Sequence, residues 1–354
     1  RVCRPRVRLL SALKKALASS VAVMYFGRIP SVAGLYERRL QEIGPMRFPL
    51  KNLVGALAVI GCTAWASEAV VNIQSLGASA RSASLGNAFV AVADNGDAVF
   101  ANPAGLATVD GRTLGYTNVS LLFSGFDGDN LGQHVASFTQ PVGGKMVLGL
   151  GYERIGSDLM SENGAFLSLG YQMSRTLQLG LTSKYLFWSV DDFDAADPLS
   201  GESAGAVGID LGVLWTTPVQ GAHLGVMLKN VNKPNVAADK AGSIPSDAGA
   251  LPMDLAVGVS YNISNSLVSV QWATRDFTGD SSENRLIVGA ETALVQGLQL
   301  RAGGSRIFED DASGDLNAGL GYQWNQLMFD YGYHIPLDLT ETNGSHRFSL
   351  AWKL

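Results

Sequence analysis

The chain has 354 residues, enough for two globular domains or one large barrel, and only 16% of them are charged, against about 25% in ordinary soluble domains. Residues 1–51 hold 11 Lys/Arg and 2 Glu, and residues 52–66 hold no charge, which leaves 15 basic against 29 acidic residues from Ser67 onward. An acidic body of this kind excludes nucleic-acid binding, which needs a basic stripe. Both cysteines, Cys3 and Cys62, precede Ser67, so a mature chain starting there has no disulfide or thiolate chemistry open to it.

The first 36 residues contain no acid and resemble an organellar transit peptide in composition. Residues 1–45 are read instead as an upstream extension, outside the fold. Met46-Arg47-Phe48-Pro49-Leu50-Lys51 supplies a positive start, and Leu53 to Ala64 is an apolar stretch too short to span a bilayer as a helix. Ala64-Trp65-Ala66 then has the small-x-small form of a signal-peptidase site, so residues 46–66 are expected to be a signal peptide cleaved after Ala66. Val59-Ile60-Gly61-Cys62 supports a competing reading, a lipoprotein box with Cys62 lipidated. Residues 67–111 do not read as barrel wall. They are rich in small residues suited to tight packing, and Asn102-Pro103 is a chain-redirection signal, so this segment is expected to plug a lumen.

From residue 112 to 354 the chain reads as fourteen segments of alternating apolar and small-or-polar residues. The expected strands are 112–124, 131–141, 145–156, 163–174, 176–190, 204–217, 221–232, 251–263, 265–276, 283–294, 297–308, 314–325, 326–335 and 343–354. Leu148, Leu150 and Tyr152 fall on one face of the third, with Gly149, Gly151 and Glu153 on the other. Short turns such as Val142-Gly143-Gly144 alternate with long polar connections, 191–203 and 233–250. This pattern predicts an all-β transmembrane antiparallel barrel of fourteen strands, with lipid on one face and a polar lumen on the other. The many glycines inside strands fit a curving wall or a close backbone approach, and a soluble glycine-rich sandwich is the alternative. Tyr152, Tyr171, Trp188, Trp215, Tyr261, Trp272, Trp324 and Trp352 gather near strand ends, as interfacial girdles do.

By alternation, Glu153, Lys184, Asp210, His223, Lys229, Asp254, Arg275, Arg285, Glu291, Arg301, Asp330, His334 and Lys353 fall on the lumen face. They suit either a network of ion pairs holding a plug or a lining that tunes passage. Asp94-Asn95-Gly96-Asp97 clusters oxygen ligands but lacks the distal Glu of a calcium loop, and the four histidines are scattered. No metal site or cofactor is expected, and no nucleophile elbow, phosphate loop or dinucleotide fingerprint points to an enzyme.

The segment carrying Arg81, Leu85, Gly86, Ala88, Ala93 and Asp94, followed by Asn102-Pro103-Ala104-Gly105, resembles the N-terminal region of FadL-type and PorV/PorQ-like outer-membrane proteins. The resemblance spans 67–354 and implies a fourteen-stranded barrel with an N-terminal plug, placed in the outer membrane of a Gram-negative-type bacterium. Arg81, Leu85, Gly86, Asp94, Asp97 and Asn102–Gly105 are the expected gating residues, and Arg81, Asp94 and Asp97 are the charges expected to meet lumen residues of opposite sign. FadL-type members pass hydrophobic compounds, whereas PorV-like members dock exported proteins of a secretion system. The polar 233–250 connection carries only scattered Val236, Ile244 and alanines, so no apolar capture groove is expected from it. The channel reading leads and the docking reading follows.

Overall fold

The computed structural model describes residues 77–121, 132–157, 160–192, 200–237, 249–279, 282–295, 297–308, 313–337 and 344–354. The expected extension and signal peptide lie outside these residues. Fourteen strands form one closed antiparallel barrel in which each strand pairs with its chain neighbours and the last pairs with the first. They are β1 Thr113–Leu121, β2 Gly132–Gly143, β3 Met146–Gly156, β4 Met160–Gln172, β5 Leu177–Val190, β6 Ser203–Thr216 and β7 Ala222–Lys229. The others are β8 Asp254–Ile263, β9 Ser266–Arg275, β10 Glu283–Ala293, β11 Leu298–Ile307, β12 Gly314–Trp324, β13 Leu327–Pro336 and β14 Ser345–Lys353. Closure matters because an open edge in lipid would leave backbone donors and acceptors without partners. Register from Thr113↔Lys353 to Leu121↔Ser345 joins the two ends of the wall.

The alternation fixes which face meets lipid. Leu150, Tyr152, Leu181, Tyr185, Leu320, Tyr322 and Leu350 point outward and are exposed, while Glu153, Lys184 and Asn317 point inward and are buried. The connections β2–β3, β4–β5, β6–β7, β8–β9, β10–β11 and β12–β13 are short and share one end of the barrel with both wall termini. The other connections, all of them longer except β3–β4, share the opposite end, here called the loop end.

The count of fourteen matches the alternation, with boundaries shifted by up to three residues, as at the start of the fourth strand, the end of the seventh and the start of the eighth. The seventh strand stops at Lys229 rather than 232, because Asn230 and Lys233 take positive φ of 55° and 44°, which breaks the extended run. The eighth starts at Asp254 rather than 251, directly after Pro252 and Met253. Among the expected girdle aromatics, Trp188 is the exception. It lies on the inward face of β5 at 3% exposure, with Nε1 donating to the Val236 carbonyl at 2.8 Å. Even-numbered residues of β5 face inward, so parity overrules position near a strand end.

Residues 77–111 lie inside the ring. They contain a short helix α1 (Ala80–Ser84), a second one α2 (Ala98–Ala101) and a 3-10 helix, Pro103–Thr108. Helix α1 packs on β11–β14, while α2 and the 3-10 helix pack on β3–β6. Buried Leu85, Phe89, Val92, Val99 and Leu106 form one cluster with the inward-facing wall.

Candidate functional site

Helix α1 is too short to hold itself together, and its end is fixed by a reciprocal cap. The Ser82 amide donates to Ser79 Oγ at 3.2 Å, and the Ser79 amide donates to Ser82 Oγ at 3.0 Å. The cap presents Arg81 to the wall. Its Nε and Nη2 donate to the two Glu291 oxygens at 2.8 and 3.0 Å, and Nη1 reaches Asp94 at 2.5 Å. Glu291 also accepts from Arg301 Nε at 2.5 Å, and Arg301 Nη1 reaches Asp330 at 2.5 Å. Asp94, Arg81, Glu291, Arg301 and Asp330 therefore form a chain of alternating sign from the inner segment across β10, β11 and β13. Burial works against the Arg81 charge, but Asp94 and Glu291 outweigh it and hold the guanidinium protonated. The Arg81 guanidinium also stands 5.4 Å from the Phe89 ring centre.

Sequence reasoning gave Asp97 a cation of the wall as partner, and the structure corrects this. Asp97 is buried and accepts from Ser79 Oγ and Asn95 Nδ2 within its own segment. Burial pushes its carboxyl up, against the lowering effect of the Ser79 hydrogen bond. Among the described residues no group of His, Cys, Asp or Glu is placed to hold a metal ion.

Asn102-Pro103-Ala104-Gly105 is the second anchor. Asn102 is fully buried, and its Oδ1 accepts from the Ala104 amide at 3.2 Å, capping the 3-10 helix. Its Nδ2 donates to Val90 O at 2.7 Å and to Val213 O of β6 at 3.0 Å. Pro103 fits the first position of that helix because it has no amide hydrogen to leave unpaired. At Gly105 a Cβ would lie 1.9 Å from the Ala93 carbonyl oxygen, so the fold of the segment on itself needs glycine there. Leu85 and Gly86 lie against Gly303 and Gly304 of β11.

The wall glycines are explained by this segment. Gly170 and Gly180, Gly180 and Gly212, Gly225 and Gly258, Gly289 and Gly303, and Gly319 and Gly332 are register partners on adjacent strands. They form a side-chain-free belt on the inner wall, and the backbone of 80–107 lies against it. Removing Arg81 should loosen the segment, since breaking a buried ion pair costs about 3–5 kcal/mol. Arg81→Ala should become cleavable within 77–111 by added protease while the wall stays heat-resistant. A variant as resistant as the parent would show that the ion pair does not hold the segment.

Nearer the loop end the lumen has two characters. Lys184 and Asp210 pair at 2.7 Å, and the Asn230 amide donates to Asp210 at 2.8 Å. Glu153 accepts from Gln133 at 2.8 Å. Arg285 stands 3.7 Å from Glu283 and is partly exposed, and His223 lies at the turn end, 3.3 Å from the Thr216 hydroxyl. Lys353, the last residue of β14, keeps the inward parity and is exposed at the turn-end rim. Arg347 was missed although its alternation with Phe348 marks it as inward. It is 3% exposed, with Nη1 donating to Gly77 O at 3.1 Å.

Beside these charges, inward apolar side chains of β3–β6 form a seam from the loop end down to α2. Val190 of β5 is in register with Met160 of β4, and Trp188 and Leu186 with Ala204 and Ala206 of β6, while Phe166 of β4 joins the same cluster one step further down, in register with Lys184. Phe166 meets Phe100 of α2 edge to face at 5.0 Å. Val236 and Leu251 from the β7–β8 connection close over the seam, with Val236 fully buried against Trp188. That connection thus gives the lumen more apolar surface than its sequence suggests.

No family model matches the chain, and no curated protein matches it in sequence. Solved structures do match. A FadL homologue of Pseudomonas aeruginosa aligns over 78% of this chain and 98% of its own, at 13% identity and a TM-score of 0.52. The deltaS2S3 mutant of TodX, a monoaromatic hydrocarbon channel, aligns over 78% and 97%, at 13% identity and a TM-score of 0.57. The fold is that of the FadL-type outer-membrane barrels. A TodX deltaS2 mutant has the same TM-score of 0.57 at 12% identity.

Proposed function

We propose that the chain is an outer-membrane channel for hydrophobic or small solutes, gated by its N-terminal segment, and not an enzyme. The observation that carries this is the apolar seam of β3–β6, which runs from the loop end and ends on Phe100 of the inner segment. The seam's side chains are buried against one another, so an apolar solute has to part them to gain roughly 25 cal/mol per Å² of apolar area it covers. Residues 77–111 stand between that seam and the turn end, so they are the gate, with Arg81, Asp94 and Asn102–Gly105 holding it shut. The shared fold with a hydrocarbon channel supports this reading. Export through the 46–66 signal peptide, with a mature start at Ser67, belongs to the same proposal.

Deletion of residues 75–97 tests the gate. The wall has its own closed pairing, so it should still fold to a heat-resistant barrel. Reconstituted in liposomes, the deleted protein should admit small solutes faster than the intact one. Unchanged entry through a folded barrel would remove the gating role and favour docking of exported proteins, the PorV-like alternative.

A further inference from the structure

All acidic residues of the fourteen strands stand on the inward face. Of the Asp, Glu, Lys, Arg and His side chains in the strands, four take outward positions, and all four are basic: His134, Arg154, Arg306 and His346. Each lies within two residues of the loop end of its strand. Three lie on one run of adjacent strands, β14, β1, β2 and β3. His134 and Arg154 are register partners across β2 and β3, and His346 lies on β14, separated from β2 by β1 alone. Partners on one face of an antiparallel pair have Cβ atoms about 4.5–5.5 Å apart.

Two tyrosines set the histidines. Tyr116 Oη lies 2.8 Å from His134 Nδ1, and Tyr331 Oη lies 2.6 Å from His346 Nδ1. When the hydroxyl donates, the ring proton sits on Nε2, so each imidazole is a donor toward an incoming acceptor. Asn118 Nδ2, 3.3 Å from His134 Nδ1, adds a third polar group.

Directly below this cluster the outer wall is hollowed. A groove of about 500 Å³ runs down β11–β14 and β1, lined by Tyr116, Tyr322, Phe329, Tyr331, Phe348 and Leu350, with Asn118 also on its wall. Its walls are mostly outward side chains in the apolar belt, where the solvent is lipid tails, and Gly321, Asp330 and Ser349 also line it. The groove and the basic cluster share Tyr116, Asn118 and Tyr331, so an occupant of one adjoins the other.

We propose that this face binds a phosphate-bearing lipid of the leaflet at the loop end, its acyl chain in the groove and its phosphate on His134, Arg154 and His346. An apolar groove alone would take any chain. The exclusion of acids from the outward face, with basic groups only at one interface, selects an anionic headgroup. The guanidinium supplies a fixed charge and the two imidazoles supply directed donors, the combination that suits a phosphate. The inference rests on the barrel's faces and is independent of the channel reading.

Native mass spectrometry of the full chain in a non-ionic detergent tests it, with diphosphorylated lipid A as the probe. The wild type should retain lipid A, and lipid A stripped of both phosphates should be retained about tenfold less, the effect of losing one charge-assisted contact. His134→Gln, Arg154→Gln and His346→Gln combined should lower lipid A retention by about the same factor. Phe348→Ala, which opens the groove and leaves the basic cluster, should weaken both lipids alike. Heat-resistant migration of each variant verifies that the wall is closed. Equal retention of the two lipids by the wild type, or unchanged retention by the triple variant, would overturn the proposal.

Discussion

Leu320→Arg should keep most of the chain from reaching the heat-resistant folded state, while Trp324→Arg on the same face of the same strand should be far milder. Leu320 lies midway along β12, points outward at 47% exposure, and sits in register between Leu300 and Tyr331. An arginine at mid-depth on the lipid face costs about 2–4 kcal/mol, falling to about 0–1 near an interface. The larger figure is a factor of several hundred in the folding equilibrium, enough to remove much of a marginal stability. Trp324 is the last residue of β12, where a long side chain reaches the headgroups. The folded fraction of each variant, read by heat-dependent migration after refolding into lipid, measures the difference. Equal damage at both positions would mean that β12 does not cross the belt with Leu320 at its centre.

Gly180→Val should give a closed wall with an unseated inner segment. A Cβ at Gly180 would stand 2.1 Å from the Ala104 amide nitrogen and 2.3 Å from the Pro103 carbonyl carbon. Both are backbone atoms of a capped turn, so they cannot swing aside as a side chain tip would. The wall itself tolerates valine, which suits a pleated strand. The variant should conduct ions in a planar bilayer where the parent is closed, and protease should cut it within 77–111. Gly144→Ala is the control, because nothing lies within 4 Å of a Cβ there. A Gly180→Val channel as silent and as resistant as the parent would show that the segment does not press on β5.

The wall was legible because strand geometry writes itself at a period of two, and lipid outside with a wet lumen inside keeps the two faces chemically distinct. Leu316, Ala318, Leu320 and Tyr322 opposite Asn317, Gly319 and Gly321 could be sorted without knowing any neighbour. Partners across space could not. Arg81 was singled out as a charge seeking an acid, but choosing Glu291 needs the depth of each residue in the closed ring. Asp97 was assigned outward to the wall because local sequence cannot show a Ser79 hydroxyl folding back onto it. The apolar seam escaped for a different reason. Phe166, Leu186 and Trp188 are inward by parity, but apolar residues were sought on the lipid face and charges in the lumen. The glycine belt was visible as a composition, and its cause became visible only when the inner segment was placed against it.

The division of the inner segment between two sets of strands has a consequence for the order in which the molecule is made. Helix α2 and the 3-10 helix pack mainly on the early half of the wall, β3–β6, whereas α1 packs on β11–β14. The Ala80 amide that donates to Ser349 Oγ at 2.8 Å waits for a residue 269 positions later in the chain. Contacts so distant in sequence form slowly, since the intervening loop must close first. The Asn102 anchor can therefore dock once six strands exist, while α1 waits for the late strands and Arg81 has Asp94 alone as its partner until β10 is in place. A chain assembled only as far as β6 would carry a half-wrapped core whose Arg81 is paired with Asp94 and still lacks Glu291.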